Sequence, residues 1–126
     1  MPYKLTFIYC FIVLVLSVLP NKSFPKVEVS NADKIVHFLM YFFMVGAMFF
    51  DNIKKDKKSI FVEIKNKKLL FFFFFAVIFG GIIEIIQYFL PTRSAEWYDL
   101  LSNSIGAFWG ITVVLVLKNT VFEKKT

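Results

Sequence analysis

Hydrophobic residues are gathered into four blocks along this chain, and polar segments separate the blocks. They cover approximately residues 4–20, 34–50, 69–90 and 99–117. A helix rises about 1.5 Å per residue, so the third block is roughly 33 Å long and can cross a hydrocarbon core about 30 Å thick. The pattern predicts an all-α polytopic membrane protein, with four transmembrane helices in a bundle and a single domain over residues 1–126.

The first block is the shortest and leaves two interpretations open. It ends at Pro20 and is about as short as a membrane span can be. A cleaved secretory signal peptide would need small residues at its cleavage site, and the segment SVLPNKS does not provide them. We therefore favour a retained anchor helix.

The composition agrees with lipid as the solvent. The chain is 58% hydrophobic and contains 18 phenylalanines, whereas a soluble domain is about 45–50% apolar. We expect the phenylalanines, including the run Phe71–Phe75, to face lipid. The one cysteine, Cys10, cannot form an internal disulfide, so cysteine content does not indicate a redox compartment.

Charge indicates the orientation. The formal net charge is +6, and seven lysines lie in the polar connector over residues 51–68. Cytoplasmic loops are enriched in Lys and Arg, which predicts a cytoplasmic connector in a multi-pass protein of the bacterial inner (plasma) membrane. Both termini are then cytoplasmic, and the loop 20–33 and the turn 91–98 face outside. We expect no nucleic-acid partner, because no aromatic-basic surface accompanies the lysines.

Polar residues recur at helical spacing near the predicted outer ends of three helices. Glu84 lies about 9 Å below the end of its helix. The three stripes are Asp33, His37 and Tyr41; Gly80, Glu84, Gln87 and Tyr88; and Asp99, Asn103, Gly106 and Gly110. We predict that these stripes face one another, that Gly80, Gly106 and Gly110 allow close helix packing, and that the inner halves carry no comparable polar set.

Two interpretations of these polar residues compete. Ionisable residues inside spans favour a functional site, whereas buried amides also join helices at about 0.6 kcal/mol per contact. Arg93 suits carboxylate or phosphate groups, or it forms a salt bridge with Glu84, Glu96 or Asp99. For His37 we expect a bond to a carboxylate rather than a metal, because zinc prefers several nitrogen or sulfur ligands and the chain has one histidine. We predict no metal site and no cofactor.

The segments DKIVHFLMYF and EIIQYFLPTRSAEWYDLLSNSIGAFWG resemble the VanZ-like family of small bacterial membrane proteins. The resemblance covers the second, third and fourth helices. It assigns the family's motif positions to Asp33, Lys34, His37, Tyr41, Glu84, Gln87, Arg93, Asp99, Asn103, Gly106 and Gly110. The name-giving member is associated with low-level resistance to the antibiotic teicoplanin, so the resemblance implies a membrane location and a role in the cell envelope.

Three functions follow as hypotheses. The first is an outward-facing polar pocket at headgroup depth that binds an envelope lipid or a lipid-linked ligand through Asp33, Lys34, His37, Tyr41, Glu84, Gln87, Arg93, Asp99 and Asn103. The second is an intramembrane enzyme on a lipid-linked substrate, with Glu84, Asp99 and His37 in acid-base roles. The third is a structural or assembly subunit. The expected partners are the lipid bilayer, such a ligand and, for the third function, further copies of the chain.

Overall fold

The computed structural model describes residues 3–20, 22, 31–55 and 66–123. The helices are α1 (Lys4–Val18), α2 (Ala32–Lys55), α3 (Asn66–Phe89) and α4 (Trp97–Glu123). Segments of α2, α3 and α4 are long and apolar enough to cross a membrane, whereas α1 is a shorter apolar helix. The prediction of an all-α fold is therefore confirmed, and three of its helices have the length and composition of spans.

Three of the helices, α2, α3 and α4, extend beyond their hydrophobic blocks. α2 continues to Lys55, so Asp51 and Asn52 are helical rather than part of a loop. Hydropathy marks where side chains avoid water, but lysine is also a good helix former, so the backbone continues past the apolar block. The remainder of the lysine-rich connector, residues 56–65, and most of the predicted loop 20–33 lie outside the described residues.

The largest helix interface joins α2 and α4, which run parallel. A Cβ atom at Gly106 would overlap the carbonyl oxygen of Phe38, and one at Gly110 would lie 3.0 Å from the carbonyl oxygen of Phe42. Glycine at these two positions therefore lets the backbones of the two helices touch. This contact fixes the lateral and axial positions of α4 against α2.

A buried aspartate of α2 holds the first turn of α1. Asp51 Oδ2 accepts hydrogen bonds from the Thr6 amide at 2.7 Å and from Thr6 Oγ1 at 2.8 Å, and Asp51 Oδ1 accepts one from the Leu5 amide at 3.3 Å. The first amides of a helix have no intrahelical partner, and Tyr3, the residue before α1, gives no side-chain cap. Thr6, Asp51 and Asn52 are buried at this end, so the expectation that polar residues gather only at the end that holds Glu84 is wrong.

The phenylalanine run is divided between the interior and the exterior. Phe72 is fully buried in the core beside Ala76 and Ile83, whereas Phe71 and Phe74 are exposed. Successive helical residues point about 100° apart, so a run of five phenylalanines covers every face. The prediction that the whole run faces lipid is wrong for Phe72.

Candidate functional site

The predicted polar residues meet at one end of the protein, where α1 and α3 end and α2 and α4 begin. We call this the polar end. The packing of α4 on α2 sets Asp99 and Asn103 beside Lys34 and His37, and α3 brings Glu84 to the same level. The members that are at least nine-tenths buried are His37, Tyr41, Glu84, Gln87, Asp99 and Asn103.

Lys34 joins α2 to α4 through carboxylates. Its Nζ donates to Glu96 Oε2 at 2.8 Å, to Asp33 Oδ2 at 3.0 Å and to Asp99 Oδ1 at 3.2 Å. An ammonium group has three donors, so these three carboxylates use its full capacity. Asp33 and Glu96 are exposed at the rim, whereas Asp99 is buried.

His37 is oriented by an amide. Its Nδ1 lies 2.9 Å from Asn103 Oδ1, and an amide oxygen can only accept, so Nδ1 carries the hydrogen. The other ring nitrogen, Nε2, lies 3.7 Å from Asp99 Oδ2, which is too long for a hydrogen bond. The expected hydrogen bond from His37 to a carboxylate is therefore replaced by one to Asn103, and Nε2 faces Asp99.

Glu84 is the one acidic residue of α3. Its Oε2 accepts a hydrogen bond from the Glu96 amide at 3.3 Å, which ties α3 to the turn before α4. Its Oε1 is buried and has no hydrogen-bond partner among the described residues. The same is true of Tyr41 Oη, Gln87 Oε1 and Asn103 Nδ2, so unsatisfied polar atoms are concentrated at the polar end.

The last turn of α1 also contributes to this end. The carbonyl oxygen of Ser17 accepts from Gln87 Nε2 and from Arg93 Nε, both at 2.9 Å. Sequence reasoning missed Ser17, because it contributes a backbone atom rather than its side chain. The last carbonyls of any helix need partners from outside that helix. This rule predicts that some carbonyl near the end of α1 is bonded, but it does not identify Ser17 or its partners.

Gly80 and Tyr88 were predicted to lie on the same inward-facing stripe of α3, but only Gly80 does. Gly80 faces the site, because a Cβ there would lie 3.0 Å from Asn103 Nδ2 and 3.2 Å from Tyr41 Cε1. Tyr88 is 75% exposed, so its assignment to the inward-facing stripe is wrong. Eight residues rotate a helix by two turns plus about 80°, which carries Tyr88 away from the face that holds Gly80.

Three buried side chains could hold a metal ion. His37, Glu84 and Asp99 each offer a ligand atom, and these atoms lie within 4.8 Å of one another. A second set consists of Asp33, Glu96 and Asp99. Its ligand atoms also lie within 4.8 Å of one another, but two of its members are exposed. The mixed nitrogen and oxygen set is the more enclosed of the two.

The sequence profile of the VanZ/LLP1 family matches residues 4–118. The chain belongs to the VanZ/LLP1 family. Comparison with curated proteins and with solved structures gives no significant match. The family match begins at the first residue of α1 and ends at Lys118, so it covers α1, α2, α3 and most of α4 of this VanZ/LLP1 protein. Together with its apolar helices, family membership supports a membrane protein and confirms the resemblance found in the sequence.

Proposed function

We propose that this VanZ/LLP1 protein crosses the bacterial plasma membrane with all four helices as a bundle and binds an envelope lipid or a lipid-linked ligand at its polar end. In this arrangement the lysine-rich connector and both termini are cytoplasmic, following the positive-inside rule. The polar end then lies at the depth of the outer headgroups. The motif residues assigned by the resemblance are the proposed binding residues.

The supporting observation is the concentration of buried, unsatisfied polar atoms between α2, α3 and α4. Tyr41 Oη, Glu84 Oε1, Gln87 Oε1 and Asn103 Nδ2 all belong to this group. A buried polar atom without a partner costs about 1–3 kcal/mol. A polar headgroup that reached these atoms would recover part of that cost, which favours binding over a purely structural role.

Arg93 is the proposed contact for an anionic group. It is partly exposed in the turn between α3 and α4, and its Nε is fixed by the Ser17 carbonyl. A guanidinium group has five N–H donors in a planar fork that matches phosphate oxygens. The bond from Nε to the Ser17 carbonyl fixes the orientation of this planar group at the polar end.

Lipid binding to the purified full-length chain tests this proposal. The protein is delipidated in neutral detergent and titrated with fluorescent short-chain phosphatidylglycerol. Arg93→Ala removes a charge-assisted bond worth about 1.5–3 kcal/mol, so we expect binding at least about tenfold weaker. Lys67→Ala is the matched control, because it removes an exposed cation from the opposite end of α3. Equal affinities for wild type and Arg93→Ala would remove the arginine from the site.

A second candidate is acid-base chemistry on a lipid-linked substrate. The observation that favours it is the unpartnered Oε1 of Glu84 in a group that also contains His37 Nε2 and Asp99. Glu84→Gln keeps the shape of the side chain but cannot transfer a proton. In a deletion strain whose lipids and wall precursors are profiled, we expect wild type to restore the profile and Glu84→Gln to fail. Full complementation by Glu84→Gln would exclude the acid-base role.

The same strain tests the proposed link to teicoplanin. Deletion should lower the inhibitory concentration of teicoplanin, and the wild-type gene should restore it. An unchanged concentration would confine the proposal to lipid binding without resistance.

A further inference from the structure

We propose that His37, Glu84 and Asp99 bind one divalent transition-metal cation of the Zn²⁺ or Mn²⁺ class at the polar end. The three side chains come from α2, α3 and α4, and each is more than nine-tenths buried. The ion would therefore join three helices at one point.

The distances suit a shared ion. His37 Nε2 and Asp99 Oδ2 are 3.7 Å apart, and two ligand atoms about 2.1 Å from a tetrahedral ion lie about 3.4 Å apart. The ligand atoms of all three residues lie within 4.8 Å of one another.

Each of the three side chains makes a hydrogen bond to another residue through one atom, and its other nitrogen or oxygen atom remains for the ion. The Nδ1–H group of His37 is bonded to Asn103 Oδ1, which leaves the Nε2 lone pair facing Asp99. Lys34 Nζ binds Asp99 Oδ1, and the Glu96 amide binds Glu84 Oε2. Metal ligands in proteins are commonly oriented by outer hydrogen bonds of this kind.

Glu84 gives an independent indication of a ligand. It is 8% exposed, and its Oε1 has no hydrogen-bond partner among the residues described. The second carboxylate of the set, Asp99, is buried as well. Burying an anion is costly unless a cation accompanies it. Lys34 Nζ already lies 3.2 Å from Asp99 Oδ1, so the ion would mainly offset the burial of Glu84. A divalent ion with a neutral imidazole and two carboxylates gives a net charge of zero.

The exposed set is the weaker alternative. Its members Asp33, Glu96 and Asp99 already surround the ammonium group of Lys34, with contacts of 2.8–3.2 Å. An ion at that position would have to displace Lys34. Imidazole nitrogen together with carboxylate oxygen also favours Zn²⁺ or Mn²⁺ over Mg²⁺, which prefers oxygen ligands alone.

Three protein ligands would leave coordination positions for an exogenous oxygen. This step rests on the proposed function: the ion would take a phosphate oxygen of a lipid headgroup as its exogenous ligand. Arg93 would then bind the same phosphate from the α3–α4 turn. The metal site itself is independent of the lipid and is tested without it.

The test uses the full-length chain, purified without a histidine tag, treated with EDTA and kept in neutral detergent without added lipid. His37 is the one histidine of the chain, so the imidazole signals of ¹³C-histidine-labelled protein report on it directly. We expect Zn²⁺ to shift these signals until one ion is bound per chain, and Mn²⁺ to broaden them. Glu84→Gln and Asp99→Asn should each weaken binding at least about tenfold.

Glu96→Gln is the matched control, because the Glu96 side chain belongs to the exposed set alone. It should leave the zinc affinity within about twofold, which is within about 0.4 kcal/mol. Loss of binding in Glu96→Gln with retention in Glu84→Gln would assign the ion to the exposed set and overturn the proposal. Unshifted imidazole signals in folded wild-type protein at about 1 mM Zn²⁺ would also overturn it. Metal binding without phosphatidylglycerol binding would instead refute the proposed function and retain the metal site.

Discussion

Among single residues, Asn103 of α4 contacts both of the neighbouring helices α2 and α3 at the polar end. It is completely buried, accepts the His37 hydrogen and lies against the position where Gly80 has no side chain. Because it fixes which nitrogen of His37 carries the hydrogen, it also decides which nitrogen faces Asp99. Its effect on chemistry therefore passes through the histidine.

We predict that Asn103→Ala lowers the free energy of unfolding by about 1–3 kcal/mol, because His37 Nδ1 would lose its acceptor while buried. The neighbouring Ser102→Ala is the control, since its hydroxyl donates to the backbone carbonyl of Tyr98 in its own helix. Equilibrium unfolding in mixed micelles, followed by circular dichroism, measures both variants. Similar stability for Asn103→Ala and Ser102→Ala would contradict the structural role of the amide.

The sequence indicated which residues meet but not how they pair. Helical spacing placed His37, Glu84 and Asn103 on facing stripes, because a period of 3.6 residues fixes one face of each helix. The partner of each atom depends on how far each helix is rotated and shifted along its axis. Helical spacing therefore could not predict that His37 bonds to Asn103 rather than to Asp99.

Among helices, glycines determine the α2–α4 contact. We predict that Gly106→Ala destabilises the protein by about 1–3 kcal/mol, because its methyl group would push against the backbone of Phe38. Gly81→Ala is the matched control, since a Cβ there meets nothing within 4 Å. Alanine raises helix stability by up to about 1 kcal/mol over glycine, so Gly81→Ala should be neutral or stabilising. Thermal unfolding in detergent compares the two, and equal losses would argue against the close contact.

The attachment of α1 to α2 gives a second prediction for the helices. Asp51→Ala removes the acceptor for Leu5 N, Thr6 N and Thr6 Oγ1. The loss of a helix cap costs about 0.5–2 kcal/mol, and the first amides of α1 should exchange with deuterium faster. Thr6→Val keeps both backbone bonds and should show the smaller effect. Unchanged amide exchange in Asp51→Ala would exclude the cap.

This attachment was hidden from sequence reasoning for a physical reason. Asp51 follows an apolar block and is the first residue of the lysine-rich connector, so its local context predicts a solvated loop. Its partner Thr6 is 45 residues away, and no local pattern encodes a pairing at that distance. Local periodicity predicted the helices, whereas contacts between their ends required the structure.

For the whole molecule, orientation in the membrane is the testable property. We predict that Ser94→Cys in the α3–α4 turn reacts with a membrane-impermeant maleimide added to intact cells, and that Ser59→Cys in the lysine-rich connector does not. Both are made in a Cys10→Ser background, which removes the native thiol. Labelling of Ser59→Cys after the membrane is permeabilised is the control. The reverse labelling pattern would invert the proposed topology.

The shortness of α1 has a consequence for the surrounding bilayer. Its 15 residues rise about 22 Å, less than the roughly 30 Å of a hydrocarbon core. Both ends are tied to other helices, by Asp51 at one and by the hydrogen bonds to Ser17 at the other. In the proposed four-span arrangement, a segment fixed at both ends cannot slide to spread the mismatch, so the bilayer would thin beside it. Phospholipids next to α1 would then lie deeper in the membrane, which would bring their phosphates closer to Arg93 at the polar end.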